Sequence, residues 1–513
     1  MQTLTMQTLF QQNPNRLFFI TAAVYCVLWF LLPLLVQKNL RPDSVEQFFI
    51  GKEWSVSTTK HPTLPAALLE TAFFLTGNVP ECTYLVSALA VFVMLWSIWQ
   101  VSKVFLPPHL ALLAVFAGCN YRCLNIGSTY FHNSVGILPF WTLTVLFFYH
   151  ALKTGQYRYW ILAGITTGCG LQCKYPMILL AAVCFLFVLT FKETRKKYRT
   201  KLCLTTLIAF LIFFPHILWN FQHGFPTLDY LAKSGKTADM SIAGHLINPA
   251  AFLASQFALL LPVLLSVYPV LHFKRKQELN APAAHNKTGR QNWEHWFLAF
   301  IVIVPVLLQI AQCVYSGHKM RAGLGTHLWL FFVPCLLYYL PATSETFKLR
   351  RAFCNTAIIA VMTAAIFAGY WLVQPFVSKG TNDTLFPGRQ LAEKVERIWH
   401  EKFDVPIPYA TGEWLLAGNV ALYGKDRPSV LAFGGNSYFG TKMRNITPWT
   451  EPKDVRENGG VILWQISDEQ NPVPEDLYSD YPDAEVLMPF EIYPQTRAKK
   501  PPVKIGIALV SPK

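Results

Sequence analysis

Residues 38–70, KNLRPDSVEQFFIGKEWSVSTTKHPTLPAALLE, carry Asp43, Glu46, Lys52, Glu53, Lys60 and His61 in a charged loop between two long apolar segments. A carboxylate can take a proton and a cation can hold a phosphate, a pairing suited to chemistry on a phosphorylated lipid. If the stretch is helical, three-residue spacing puts Asp43 and Glu46 on one face. Asp43 then reads as a general base for an acceptor hydroxyl, with Glu46 as its partner or as an acceptor ligand. Spacing alone is equally compatible with a solvated loop. Lys60 can grip phosphate as a point charge, presented by a backbone that Pro62 and Pro65 stiffen. The plain alternative is an interfacial lysine that snorkels.

Further candidates follow along the chain. NIGSTYFHNSVGILPFW at 125–141 offers Tyr130, His132 and Asn133 as substrate contacts. No Asp or Glu occurs between Glu81 and Glu193, which disfavours a carboxylate-based metal site built from both early loops. Lys174, in Lys174-Tyr175-Pro176, sits at membrane depth or at its surface, where a lysine is costly and usually functional. FPHILWNFQHGFPTLDYLAKSG at 214–235 brings His216, Trp219 and Asn220 as lid residues over a sugar, or as an aromatic belt. YSGHKMRAGLG at 315–325 holds His318, Lys319 and Arg321. Cations on the outer side run against the positive-inside rule, which favours phosphate binding by Arg321.

The elements that must position these residues are membrane helices. The 513 residues are 53% hydrophobic, 15% aromatic and only 14% charged, against about 25% charged in soluble domains. Apolar runs near 17–37, 83–102, 105–119, 135–151, 160–173, 176–191, 202–219, 249–272, 295–315, 326–341 and 353–375 give about eleven transmembrane helices. The pair 160–173 and 176–191 is short and interrupted by Gly164, Gly168, Gly170 and Pro176. Taking it as one kinked helix flips every later side assignment. The basic segments KETRKKYRTK (192–201), HFKRKQELNAPAAHNKTGR (272–290) and FKLRR (347–351) arbitrate, because eleven spans put all three in the cytoplasm. That distribution explains the net charge of +15 as topology and excludes nucleic-acid binding. The first run is too long for a cleaved signal. The eleven cysteines show no metal-type spacing, and Cys119 and Cys123 read as free thiols.

After residue 376 the pattern changes. PGRQLAEKVERIWHEKF (387–403) and WLLAGNVALYG (414–424) read as helices, and PIPYATGE, RPSVLAFGG, GGVILWQIS and VKIGIALVS as strands. The expected organisation is a membrane domain over 1–375 and a small α/β domain over 376–513 outside the membrane.

Taken in order, Asp43-x-x-Glu46, Lys60-His61-Pro62-Thr63-Leu64-Pro65, STYFHNSVGILPFW, GITTGCGLQCKYP and FFPHILWNFQHGF resemble the GT-C membrane glycosyltransferases. The likeness is to the branch with protein O-mannosyltransferases and the lipid A aminoarabinose transferase, loosely over residues 17–330. It implies an outward-facing site and a polyprenyl-phosphate sugar donor. It also implies that the first-loop Asp is the base, at Asp43, and that a Lys-x-Pro lysine grips the phosphate, at Lys60. Two departures, Glu46 three residues from Asp43 and Asn133 where an acid is common, leave any divalent-metal requirement open.

The resulting expectation is an inverting glycosyltransferase of a bacterial inner membrane, with no nucleic-acid partner. It moves a hexose or pentose from a polyprenyl-phosphate donor, held by Lys60, Arg321 and Lys174, to a lipid or protein acceptor of the cell envelope. The rival is a transporter or flippase of a lipid-linked sugar, which would carry its ionisable residues at mid-membrane and often shows inverted repeats. Convergence of Asp43, Lys60 and Arg321 on one outer pocket separates the two.

Overall fold

The computed structural model describes residues 13–234, 241–271, 292–377, 383–432, 445–466 and 470–513, apart from 471, 475, 495, 497 and 499. In chain order the helices are α1 (Pro14–Val36), α2 (Pro42–Lys52), α3 (Leu64–Leu75), α4 (Cys82–Phe105), α5 (Pro108–Gly118), α6 (Asn133–Thr154), α7 (Tyr157–Leu171), α8 (Met177–Thr190) and α9 (Lys192–Gln222). They continue as α10 (Pro226–Ser234), α11 (Ile242–Val267), α12 (Asn292–Ser316), α13 (Phe332–Tyr339), α14 (Thr346–Val377), α15 (Gly388–His400), α16 (Trp414–Tyr423), α17 (Pro452–Asn458) and α18 (Leu477–Asp480). Seven of these, α1, α4, α6, α9, α11, α12 and α14, are long and apolar enough to cross a membrane. The count among the described residues rises to nine if two bent pairs are each one span: α5 with Arg122–Ser128, bent by 84°, and Ala322–Trp329 with α13, bent by 53°.

The expected eleven spans thus become seven to nine by length and composition. The difference lies in α7 and α8, which have 15 and 14 residues, short of the roughly 20 that a span needs. They are still two antiparallel helices and not one kinked one. α7 runs parallel to α9, since Thr205 Oγ1 donates to the Trp160 carbonyl at 2.9 Å and Gln172 Nε2 to the Ile212 carbonyl at 2.8 Å. α8 returns alongside, because Phe187 near its end packs on Phe148, which also touches Trp160 at the start of α7. Gly164 and Gly168 do not interrupt α7. They let it approach α9 closely: a Cβ at Gly164 would lie 2.8 Å from the Thr205 carbonyl oxygen, and one at Gly168 2.7 Å from Ile212 Cβ.

Two of the basic segments are helical, not loops. KETRKKYRTK forms the first turns of α9 and FKLRR lies in the first turns of α14. The third, 272–290, lies outside the described residues.

Beyond α14, six strands among the described residues form one mixed sheet: β1 (Tyr409–Gly412), β2 (Ser429–Val430), β3 (Gly460–Gln465), β4 (Glu485–Val486), β5 (Phe490–Ile492) and β6 (Val503–Val510). The order is β2-β1-β3-β6-β4, with β5 also on β6. β1 is parallel to β2 and β3, and β6 is antiparallel to β3, β4 and β5. The four expected strands correspond to β1, β2, β3 and β6. β4 and β5, of 2 and 3 residues, are too short to carry an alternation signal.

This α/β unit sits on the segment that follows α1. Gly418 of α16 meets Val45 and Phe49 of α2, and a Cβ there would come within 2.8 Å of Val45 Cγ1. Arg427 forks onto Glu70 at 2.8 and 3.0 Å, and its carbonyl accepts from Lys52 Nζ. Ser429 donates to Glu53 at 2.8 Å, and Asn39 to the Asp383 carbonyl at 3.0 Å. α2 is therefore braced from the C-terminal side along its length.

Candidate active site

Asp43 occupies the first turn of α2, where Pro42 pre-sets the backbone and the helix dipole favours a carboxylate. Its neighbour Ser44 hydrogen-bonds Thr83 Oγ1 at 3.1 Å, and the same oxygen accepts from the Phe131 N–H at 3.0 Å. The start of α2 is thereby fixed beside the 129–132 segment. Tyr25 holds the preceding Arg122–Leu124 turn by donating to the Leu124 carbonyl at 3.0 Å.

Asp43 opens into a cavity of about 780 Å³. Among the described residues that line it, Asp43 is the one carboxylate, facing the cations Arg41, Arg122, Lys174 and Arg321. Tyr130, His132, Ser134 and Thr326 add polar groups, and Ile126, Leu324, Ile366, Phe367, Tyr370 and Trp371 form an apolar wall. Tyr130 donates its hydroxyl to Asp43 Oδ2 at 3.3 Å. Its ring stacks on His132 with centroids 4.7 Å apart, and the Arg41 guanidinium stands 5.5 Å over it and 5.7 Å over Trp371. Burial, then the Asp43 charge, pushes the Tyr130 hydroxyl up to about 12, so it stays a proton donor. Burial also lowers His132, outweighing the attraction of Asp43, and keeps its ring neutral.

Lys174 lies in the turn between α7 and α8. Its ammonium donates to Ser134 Oγ at 2.6 Å. Among the described residues, Lys174 and Arg321 have no carboxylate within ion-pair distance. Burial pulls Lys174 down to about 8, with Asp43 opposing. Arg321 is carried on the turn before Ala322–Trp329. Gln256 pins that turn by donating to the Ala322 carbonyl at 2.9 Å while accepting from Tyr121 and Trp329, each at 3.0 Å. Gly325 is needed there, since a Cβ would meet Gln256 Oε1 at 2.3 Å.

Asp43, Tyr130, His132, Lys174 and Arg321 therefore come together. Lys60 does not line this cavity. Its ammonium donates to both oxygens of Glu46, at 3.1 and 2.9 Å, with the two side chains only 19% and 13% exposed. Burial alone would lower Lys60, but the Glu46 charge outweighs it and the net shift is upward. Glu46, His61 and Asn133 line a separate space of about 10 Å³. His61 is pushed down to about 3 by burial and by Lys174 and Lys60, so it is neutral. His216 accepts or donates with Tyr175 at 2.6 Å and Asn220 at 3.1 Å, and Asn220 holds Thr227. Trp219 stacks on His223 with centroids 4.2 Å apart, and the His318 carbonyl accepts from Cys313. None of these four, His216, Trp219, Asn220 or His318, reaches the cavity.

Sequence reasoning missed Arg41, Arg122 and the Tyr370–Trp371 wall. The argument that singled out Arg321, a cation in a segment that the charge rule expects outside, applies equally to Arg41 and Arg122. Nothing in the pattern of α14 marks Trp371, because its contact with Arg41 spans 330 positions of chain. Among the described residues no three His, Cys, Asp or Glu side chains gather as a metal site would require.

A family model described as dolichyl-phosphate-mannose-protein mannosyltransferase matches residues 60–219. That span includes Tyr130, His132 and Lys174 and leaves Asp43 and Arg321 outside. The fold is similar to that of ArnT from Cupriavidus metallidurans bound to undecaprenyl phosphate, with a TM-score of 0.60 and 11% identity over 96% of this chain and 97% of that one. The apo structure of the same protein gives 0.48 at 11% identity over 97% of each chain. The oligosaccharyltransferase AglB from Archaeoglobus fulgidus gives 0.41 at 11% identity over 80% of this chain and 64% of that one. Comparison with curated proteins returns no match. The chain thus carries a segment that matches the mannosyltransferase family model, within a polytopic helical fold similar to that of ArnT.

Proposed function

We propose that the protein transfers a glycosyl group, with inversion, from a polyprenyl-phosphate-linked sugar to a hydroxyl on a cell-envelope acceptor at the non-cytoplasmic face of the membrane. The observation that carries this is a single carboxylate set against four cations in one cavity with an apolar wall. Residues 1–375 supply the membrane domain, and 376–513 the extracytoplasmic unit that braces α2. The donor's tail lies along Ile366, Phe367 and Tyr370, and its phosphate lies between Lys174 and Arg321. Asp43 takes the proton of the acceptor hydroxyl as that oxygen attacks the anomeric carbon. The bond from that carbon to the phosphate oxygen breaks, and the phosphate leaves with the electron pair. A single displacement needs no covalent intermediate, hence inversion. Lys174 and Arg321 stabilise the growing charge in a water-poor site, where such contacts count most. Arg41 and Arg122 extend the same field. The transporter reading lacks this support, since its ionisable groups would be placed at mid-membrane, whereas these lie at helix ends and in the connecting turns.

Mass spectrometry of envelope glycolipids and glycoproteins from cells with and without the gene identifies the product. In membranes bearing the protein, Asp43→Asn should lower turnover of the lipid-linked sugar by roughly 10²–10⁴ while polyprenyl phosphate still binds. Full turnover in Asp43→Asn would overturn the assignment of the base.

A further inference from the structure

Tyr130 reads from sequence as a substrate contact. The structure gives it a different task. Its hydroxyl is directed at Asp43 Oδ2, 3.3 Å away. Its ring is engaged by His132 at 4.7 Å and by the Arg41 guanidinium at 5.5 Å, and Arg41 is itself over Trp371. A second, independent set of contacts locks the backbones on either side. Thr83 Oγ1 joins Ser44, which follows Asp43, to the Phe131 N–H, which follows Tyr130. Ser44 Oγ also reaches the Phe131 carbonyl at 3.4 Å. Both partners of the Tyr130–Asp43 hydrogen bond are thus held from behind by one buried threonine.

We propose that Tyr130 is a positioning residue that orients the Asp43 carboxylate for proton transfer, with His132 and Arg41 fixing the tyrosine ring. By holding Oδ2, the phenol leaves Oδ1 to receive the acceptor's proton, and it limits rotation of a side chain that otherwise stands exposed in the cavity. Geometry set by such a bond matters because a general base works only within hydrogen-bond reach of the proton it takes. The inference rests on the reading of Asp43 as base.

The test is a double-mutant cycle between Tyr130→Phe and Asp43→Asn. The phenylalanine keeps the ring and its stacking and removes only the hydroxyl. Tyr130→Phe should lower kcat by about ten- to a hundredfold, the value of a hydrogen bond to a charged group, with the dissociation constant for undecaprenyl phosphate unchanged. On the Asp43→Asn background the same change should cost no further activity, because groups that act as a unit are not additive. His132→Ala and Arg41→Met should each move kcat in the same direction by less. Wild-type kcat in Tyr130→Phe, or a loss that simply adds to that of Asp43→Asn, would overturn the positioning role. Full activity in Asp43→Asn alone would instead overturn the base reading, so the two failures are distinguishable. If Tyr130→Phe weakens undecaprenyl phosphate binding in proportion to kcat, Tyr130 contacts the donor and the proposal is wrong.

Discussion

Within residues 1–375 two lysines stand two residues before a proline, Lys60 before Pro62 and Lys174 before Pro176. Both follow the first turns of logic for a phosphate grip, yet their surroundings differ. Lys60 is held by both oxygens of Glu46 and is raised by that pairing. Lys174 has a hydroxyl for its partner, is lowered by burial, and faces the 780 Å³ cavity together with Arg321. A motif states where a cation can stand. Its counter-ion decides whether that cation is available to a ligand. By this measure we propose that Lys60 braces the segment between α1 and α3, and that Lys174 is the cation open to the donor phosphate.

The largest effect that would break this contrast is on donor binding. Lys174→Met should weaken binding of polyprenyl phosphate by roughly ten- to a hundredfold, as expected for loss of a charge-assisted contact of about 1.5–3 kcal/mol. Lys60→Met should leave that affinity within about twofold. Titration of the two variants with undecaprenyl phosphate measures both. The reverse ranking would return the phosphate role to Lys60.

The same contrast explains what was legible beforehand. The membrane class, the α/β tail and the convergence of Asp43 with Arg321 follow from apolar run length, turn chemistry and cations in segments that positive-inside reasoning expects outside. The pairing of Lys60 with Glu46 is not legible in the sequence, because a 14-residue separation carries no rule like the helical i, i+4 spacing. Arg41 stands next but one to Asp43, yet nothing local marks it, because its place over Trp371 is set by a helix far along the chain. His216, Trp219 and Asn220 looked like a sugar lid from their composition. Their hydrogen bonds and stacking go to one another and to Tyr175, Thr227 and His223, which is helix-end architecture. The glycines of α7 misled in the opposite sense, since small residues in a membrane helix mark close packing as readily as a break.

A smaller effect sharpens the comparison through pH. Lys174 lies in a turn outside the spans and titrates near 8, below the ordinary lysine value, because burial disfavours its charged form. A lowered lysine loses its charge as pH rises through that value. Donor affinity should therefore be greatest below about pH 8 and fall by up to about tenfold one unit above it, where roughly a tenth of the ammonium remains. Bound phosphate favours the charged form and moves the fall to higher pH in the complex. Lys174→Arg, which stays charged throughout, should flatten the profile. Lys60→Met should not change it, because Lys60 is shifted upward and keeps its charge across this range. A pH-independent affinity in the unmodified protein would remove Lys174 from the phosphate site.

The smallest effect on donor binding, and the one that defines the brace, concerns the Lys60–Glu46 pair itself. Both side chains are mostly buried, so removing one leaves the other desolvated without its partner. Lys60→Met or Glu46→Gln should each cost about 1–3 kcal/mol of stability, read as a lower denaturation midpoint in detergent. Replacing both removes the stranded charge, and the double variant Lys60→Met/Glu46→Gln should recover most of that loss, as buried ion pairs do when exchanged together. The share of that contribution carried by the Lys60 charge is present below the ordinary lysine range and is lost as pH rises through the raised value of Lys60. Thermal stability at pH 7 and 9 should therefore differ little on its account. An additive double variant, or a single Lys60→Met as stable as the unmodified protein but deficient in donor binding, would show that Glu46 merely parks a lysine whose task is the phosphate.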